Sequence, residues 1–123
     1  MELRQAMIFA KDMDRMVAFY RDGLGLRLIP ETHQDGWAEF DAGGCRLALH
    51  AIPAAIAATI EIASPPRRRS NTPLKLVFQT ADVEAARTHL LSQGAVMSEV
   101  SGRGDCDGLD PEGNVFQIMR AVR

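Results

Sequence analysis

Apolar positions along the chain follow two periods, and the same succession of periods runs twice. Residues 3–10 are apolar with alternation and predict a strand. Met13, Met16, Val17 and Tyr20 then fall at i, i+3, i+4 and i+7, one face of a helix. Asp12 is placed to cap that helix and Gly23 to stop it. Three short strands are predicted over 25–31, 36–42 and 45–51, separated by Pro30 to Gly36 and by the Gly43-Gly44 turn. A short helix is predicted over 54–60. The second half repeats the pattern, with a strand over 74–80 and a helix over 83–93 that carries Val83, Ala86, Leu90 and Leu91 on one face before Gly94. Strands follow over 95–100, 103–109 and 114–121, the last after the Asp110-Pro111-Glu112-Gly113 turn.

Three landmarks recur at an offset of roughly 70 residues: Asp12 and Asp82, Gly23 and Gly94, and the turns that open at Asp41 and Asp110. Matching landmarks in matching order indicate an internal duplication. The expected architecture is α+β, βαβββ twice in one domain, with module 1 over about 1–63 and module 2 over about 74–123. Between them, residues 64–73 hold three prolines and Arg67-Arg68-Arg69, which reads as a solvated connector.

Side chains on a strand alternate between faces, so each strand divides by parity. Ala6, Ile8, Leu47, Leu49, Leu76, Phe78, Phe116 and Ile118 make one purely apolar set, suited to packing under the two helices. The opposite faces carry Gln5, Met7, Phe9, Arg46, His50, Lys75, Gln79, Gln117 and Met119. Methionines mixed with polar groups suit a curved pocket wall better than a fully solvated surface. Trp37 and Glu39 share parity on the 36–42 strand and join this set.

Composition narrows the class. The 123 residues are 46% hydrophobic and 24% charged with a net charge of -2, which excludes disordered and collagen-like chains. That charge supplies no field for nucleic acid or an anionic membrane, so neither is expected as a partner. No apolar run reaches the ~20 residues of a membrane span. Met1-Glu2-Leu3-Arg4-Gln5 lacks the apolar stretch of a signal peptide, so a cytoplasmic location is expected, with Cys45 and Cys106 as reduced thiols.

The paired βαβββ halves, the Phe19-Tyr20…Gly23-Leu24-Gly25-Leu26 segment and the Asp110-Pro111-Glu112-Gly113-Asn114 turn resemble the vicinal oxygen chelate superfamily. Its members include glyoxalase I, bleomycin-resistance proteins, fosfomycin-resistance enzymes and extradiol dioxygenases. The resemblance implies a cup-shaped, partly open mixed barrel made of two modules, and a homodimer. It also implies a divalent metal held by histidines and a glutamate on inner strand faces. Carried over position by position, those ligands fall on Gln5, Lys75 and Gln117, with the fourth on Ala48 or His50.

Amides and an ammonium group are poor ligands for such a metal, so loss of the metal site is expected and no cofactor is predicted. Asp105, Asp107, Asp110 and Glu112 fail the calcium-loop spacing and read as turn-forming, solubilising acids. The expected ligand-binding set is Gln5, Met7, Trp37, Glu39, Arg46, His50, Lys75, Gln117 and Met119. Within it, Trp37 is a core residue or a stacking platform. Glu39 either neutralises Lys75 or Arg46 or works as an acid–base group with His50. The predicted function is binding of a small organic molecule in a metal-free cup. The alternative is a metal-dependent or acid–base lyase, isomerase or dioxygenase, with Glu39 and His50 as catalytic candidates.

Overall fold

A computed structural model of the chain describes residues 1–69 and 71–121, in two compact units, Met1–Glu61 and Ile62–Arg123. Ser70 of the predicted connector and the last two residues of module 2 lie outside the described set.

Unit 1 runs β1 (Gln5–Ala10), α1 (Met13–Ala18), β2 (Arg27–Leu28), β3 (Trp37–Asp41), β4 (Arg46–Ala51) and α2 (Ala54–Ala57). Asp12 caps α1, its carboxylate accepting from the Arg15 amide at 3.1 Å. The sheet order is β1-β4-β3-β2, with β1 and β4 parallel and the remaining pairs antiparallel. Ala6, Leu47 and Phe40 lie in one cross-strand row, and Ile8, Leu49 and Ala38 in the next. This is the face that meets α1, where Met16 and Tyr20 are buried and the Tyr20 and Phe40 rings sit 6.4 Å apart.

Unit 2 repeats the design with β5 (Leu76–Thr80), α3 (Val83–Ser92), β6 (Val96–Met97), β7 (Cys106–Leu109) and β8 (Val115–Arg120). Its sheet order is β5-β8-β7-β6, again with the outer pair β5–β8 parallel. Asp82 caps α3 through the Ala85 amide at 3.0 Å, as Asp12 caps α1. Leu76, Phe116, Gly108 and Met97 form one core row, and Phe78, Ile118 and Cys106 another. Gly108 is required there, since a Cβ on it would stand 2.5 Å from both Met97 Sδ and Phe116 Cζ.

Several elements are shorter than their apolar patterns suggest. The helix from Asp12 keeps α geometry only to Ala18 and then widens into a π turn over Phe19–Gly23. Instead of a strand over 25–31, β2 spans two residues, because Pro30 opens a 3-10 turn over Pro30–Thr32. The 95–100 strand reduces to Val96–Met97, and the 54–60 helix to Ala54–Ala57.

The acids of the last turn also need correction. Asp110 and Glu112 are buried rather than solubilising. Asp110 Oδ1 accepts from the Glu112 and Asn114 amides, and Oδ2 from the Asn114 side chain at 2.8 Å. Asp41 closes the matching turn of unit 1 more simply, accepting from the Gly43 amide at 2.9 Å. The connector is solvated along most of its described length, with Arg67, Arg68 and Arg69 all exposed, yet its backbone is anchored to the last turn of unit 2. The Arg69 amide donates to the Gly113 carbonyl, and Arg69 Nε donates to the Glu112 carbonyl, both at 3.1 Å. At Gly113 (φ +85°) a Cβ would collide with the Arg67 carbonyl, so glycine there lets the two backbones approach.

Candidate functional site

In unit 1 the sheet face away from α1 carries three cross-strand rows. Gln5, Arg46 and Asp41 form the first, Met7, Ala48 and Glu39 the second, and Phe9, His50 and Trp37 the third. The third row is a line of rings: Phe9 and His50 are 5.7 Å apart between centroids, and His50 and Trp37 are 5.4 Å apart, edge on. Trp37 reaches this position through a tight turn, in which its amide and carbonyl both pair with Gln34 across Asp35-Gly36. Much of the row is open within the unit, Phe9 at 54% exposure and Met7 beside it at 43%.

Glu39 ties the rows together. Trp37 Nε1 donates to its Oε2 and Arg46 Nη1 to its Oε1, both at 3.0 Å. The indole N–H first, and then the Arg46 guanidinium, hold the Glu39 carboxyl below the usual carboxylate range. Of the two neutralising partners the sequence leaves open for Glu39, the structure selects Arg46. The side chain is therefore a fixed anion, ill suited to delivering a proton near neutrality. Asp41 is likewise held low, by the Gly43 amide first and then by Arg27, whose Nη2 lies 3.1 Å away.

In unit 2 the face away from α3 carries Val77, Gln117 and Asp107 in one row and Gln79 beside Met119 in the next. Lys75, just before β5, places Nζ 3.3 Å from Asp107 Oδ1 and 3.4 Å from Oδ2. Sequence reasoning missed Asp107 as a site residue. On β7 Asp107 alternates with the buried Cys106 and Gly108 and so points to the open face, but in the sequence only its parity within the 103–109 strand marks it. Burial pushes the Cys106 thiol up, which with its place in the core removes it as a nucleophile.

The predicted site residues thus group as Gln5, Met7, Trp37, Glu39, Arg46 and His50 on one unit's open face, and Lys75, Gln117 and Met119 on the other's. The metal implied by the resemblance does not fit these donors. Gln5 and Gln117 offer neutral amides, and Lys75 is a cation already engaged by Asp107. Among the described residues, no group of three or more His, Cys, Asp or Glu side chains is placed to hold a metal ion. No helix among them is long and apolar enough to cross a membrane.

Two mixed four-stranded sheets, each built as βαβββ with its helix on one face, define a glyoxalase-type fold. The chain belongs to the glyoxalase/bleomycin resistance protein/dioxygenase superfamily, whose family model matches residues 2–118. A glyoxalase/bleomycin resistance protein/dioxygenase family enzyme from Burkholderia phytofirmans is similar in structure (TM-score 0.77, 22% identity, covering 99% of this chain and 100% of that one). So is TnmS3, an antibiotic binding protein from Streptomyces (TM-score 0.67, 17% identity, 99% and 97%). Lactoylglutathione lyase from Agrobacterium tumefaciens shares the fold as well (TM-score 0.63, 20% identity, 98% and 93%). Comparison with curated proteins found no match. At these identities the likeness concerns the fold alone, and binders and enzymes both adopt it.

Proposed function

We propose that the protein binds a small organic molecule without the superfamily's metal. The observation that carries this reading is the Lys75–Asp107 pair. At the position where the resemblance implies a metal ligand, this chain has an ammonium group paired with a carboxylate 3.3 Å away. Binding needs only a shaped surface with a few polar anchors, which the open faces offer. Catalysis of the superfamily's metal-dependent kind needs donors that Gln5, Lys75 and Gln117 do not supply. The acid–base alternative rests on Glu39 and His50, and it is weakened because both Glu39 oxygens already accept hydrogen bonds, from Trp37 and Arg46.

A homodimer forms part of the same reading, because β1, β2, β5 and β6 are sheet edges whose backbone groups call for cover. Two unbridged cysteines suit the reducing cytoplasm. Elemental analysis of the purified protein tests the proposal: no stoichiometric transition metal is expected. About one metal per chain, lost on His50→Ala, would overturn it in favour of the enzyme.

A further inference from the structure

We propose that the open face of unit 1 seats an uncharged, planar aromatic molecule laid across the row Phe9–His50–Trp37. This inference rests on the reading of the protein as a small-molecule binder and names the ligand class. The first ground is the geometry of the row. Three rings on adjacent strands, with centroids 5.7 and 5.4 Å apart, span two strand spacings, about 10 Å. That is the width of two or three fused rings. A surface on which Phe9 and His50 are exposed and Trp37 half-buried, with Met7 alongside, gains from covering by another flat π-system, through apolar burial and ring contact.

The second ground is preorganisation. Trp37 is tied by its indole N–H to Glu39, and Glu39 is tied to Arg46. A ligand therefore meets a ring whose rotamer freedom is already restricted, which lowers the entropy cost of binding. The third ground is charge. Both acids of β3 are matched by arginines, Glu39 by Arg46 and Asp41 by Arg27, and Arg4 further favours the ionised state of Glu39. An anion would lose hydration over the rings and find the arginines already engaged. A cation would find both carboxylates engaged and gain only weakly from ring faces open to water, whereas a neutral ligand loses little. A recess of about 330 Å³ in the same unit is lined by Arg4, Arg27, Asp41 and Arg46, at the end of the face remote from the rings.

The test is calorimetric titration of the full-length protein with three probes of one shape: 2-naphthalenemethanol, 2-naphthoate and 2-naphthylmethylammonium. The expected result is that the alcohol binds at least tenfold more tightly than either ion. Trp37→Leu should weaken alcohol binding at least tenfold, with melting temperature reporting whether that variant folds. Phe9→Ser, at an exposed position, should weaken it severalfold and serves as the second variant. Equal or tighter binding of either ion would overturn the charge argument. Alcohol binding untouched in both variants would place the ligand elsewhere. Failure of all three probes would overturn the ligand class, and another small molecule retained in the protein's mass spectrum would then leave the binder reading standing. Phe9→Ser converting a dimer to a monomer with no change in probe binding would assign the row to protein packing and sink the proposal.

Discussion

Glu39 links Trp37 and Arg46 on the unit 1 face, one carboxylate oxygen to each. Its two donors keep it ionised in the folded protein, so its folded pKa lies below the unfolded value. The stabilisation is therefore complete above the ordinary glutamate range, about 4.3, and is lost as pH falls through the folded value. Hydrogen bonds to a charged group contribute about 1.5–3 kcal/mol each, and Glu39→Gln should cost about that much at neutral pH. Melting curves at neutral pH and at about pH 3 check the sign: the gap between wild type and Glu39→Gln should narrow on acidification. A gap independent of pH would mean that the carboxylate charge does no work there. Lys75 and Asp107, each 38% exposed, form a weaker pair of about 0–1 kcal/mol, so Asp107→Ala should barely move the melting temperature. At this scale the sequence was readable where parity decides the outcome. Arg46, Glu39 and Trp37 alternate cleanly, whereas Asp107 was hidden by neighbouring acids and by Gly108, which breaks the apolar alternation of β7.

Periodicity located nearly every element and misjudged the length of several. Leu26, Leu28 and Ile29 read as a strand carried on through Pro30, but the ring fixes φ and removes the amide, and Pro30 turns the chain after Ile29 pairs with Glu39. The widening of α1 into a π turn has no composition signal, because Phe19 and Tyr20 keep the apolar face going. The buried acids were misread because Asp and Glu in a turn are usually solvated, whereas Asp110 takes three hydrogen bonds from its own turn. Two predictions belong here. Gly108→Ala should destabilise by about 1–3 kcal/mol through overpacking against Met97 and Phe116, visible as a lower urea midpoint with unchanged slope. Anchoring of the connector backbone at Arg69 should slow trypsin cleavage at the exposed Arg67 and Arg69, and Gly113→Ala, which drives a Cβ into the Arg67 carbonyl, should speed cleavage there. Equal cleavage rates in the two proteins would mean that the contact does not hold the connector.

For the molecule as a whole, the duplication was the most legible feature, because capping aspartates and Asx turns repeat in order. Of the two expected stop glycines, Gly94 takes a left-handed φ of +83° after its helix. Gly23 instead lies inside the π turn, and Gly25 (φ +70°) takes that part. Function was less legible, since a shared fold hosts binders and enzymes alike and only particular side chains separate them. Light scattering at micromolar concentration should show a dimer, and a lone 13.5 kDa species would contradict that expectation. The central claim is that this chain binds its ligand without the superfamily's metal. A ligand specific to the folded state stabilises it by about 2.7 kcal/mol at a hundredfold excess over Kd, enough to move a melting curve by several degrees. Melting the wild type and Lys75→His/Gln117→Glu with Zn²⁺, Ni²⁺, Mn²⁺ or Fe²⁺ is the most direct test. Metal-free binding entails no shift for the wild type and a measurable one for the variant, which regains two donors beside Gln5. A shift of several degrees in the wild-type protein would contradict it.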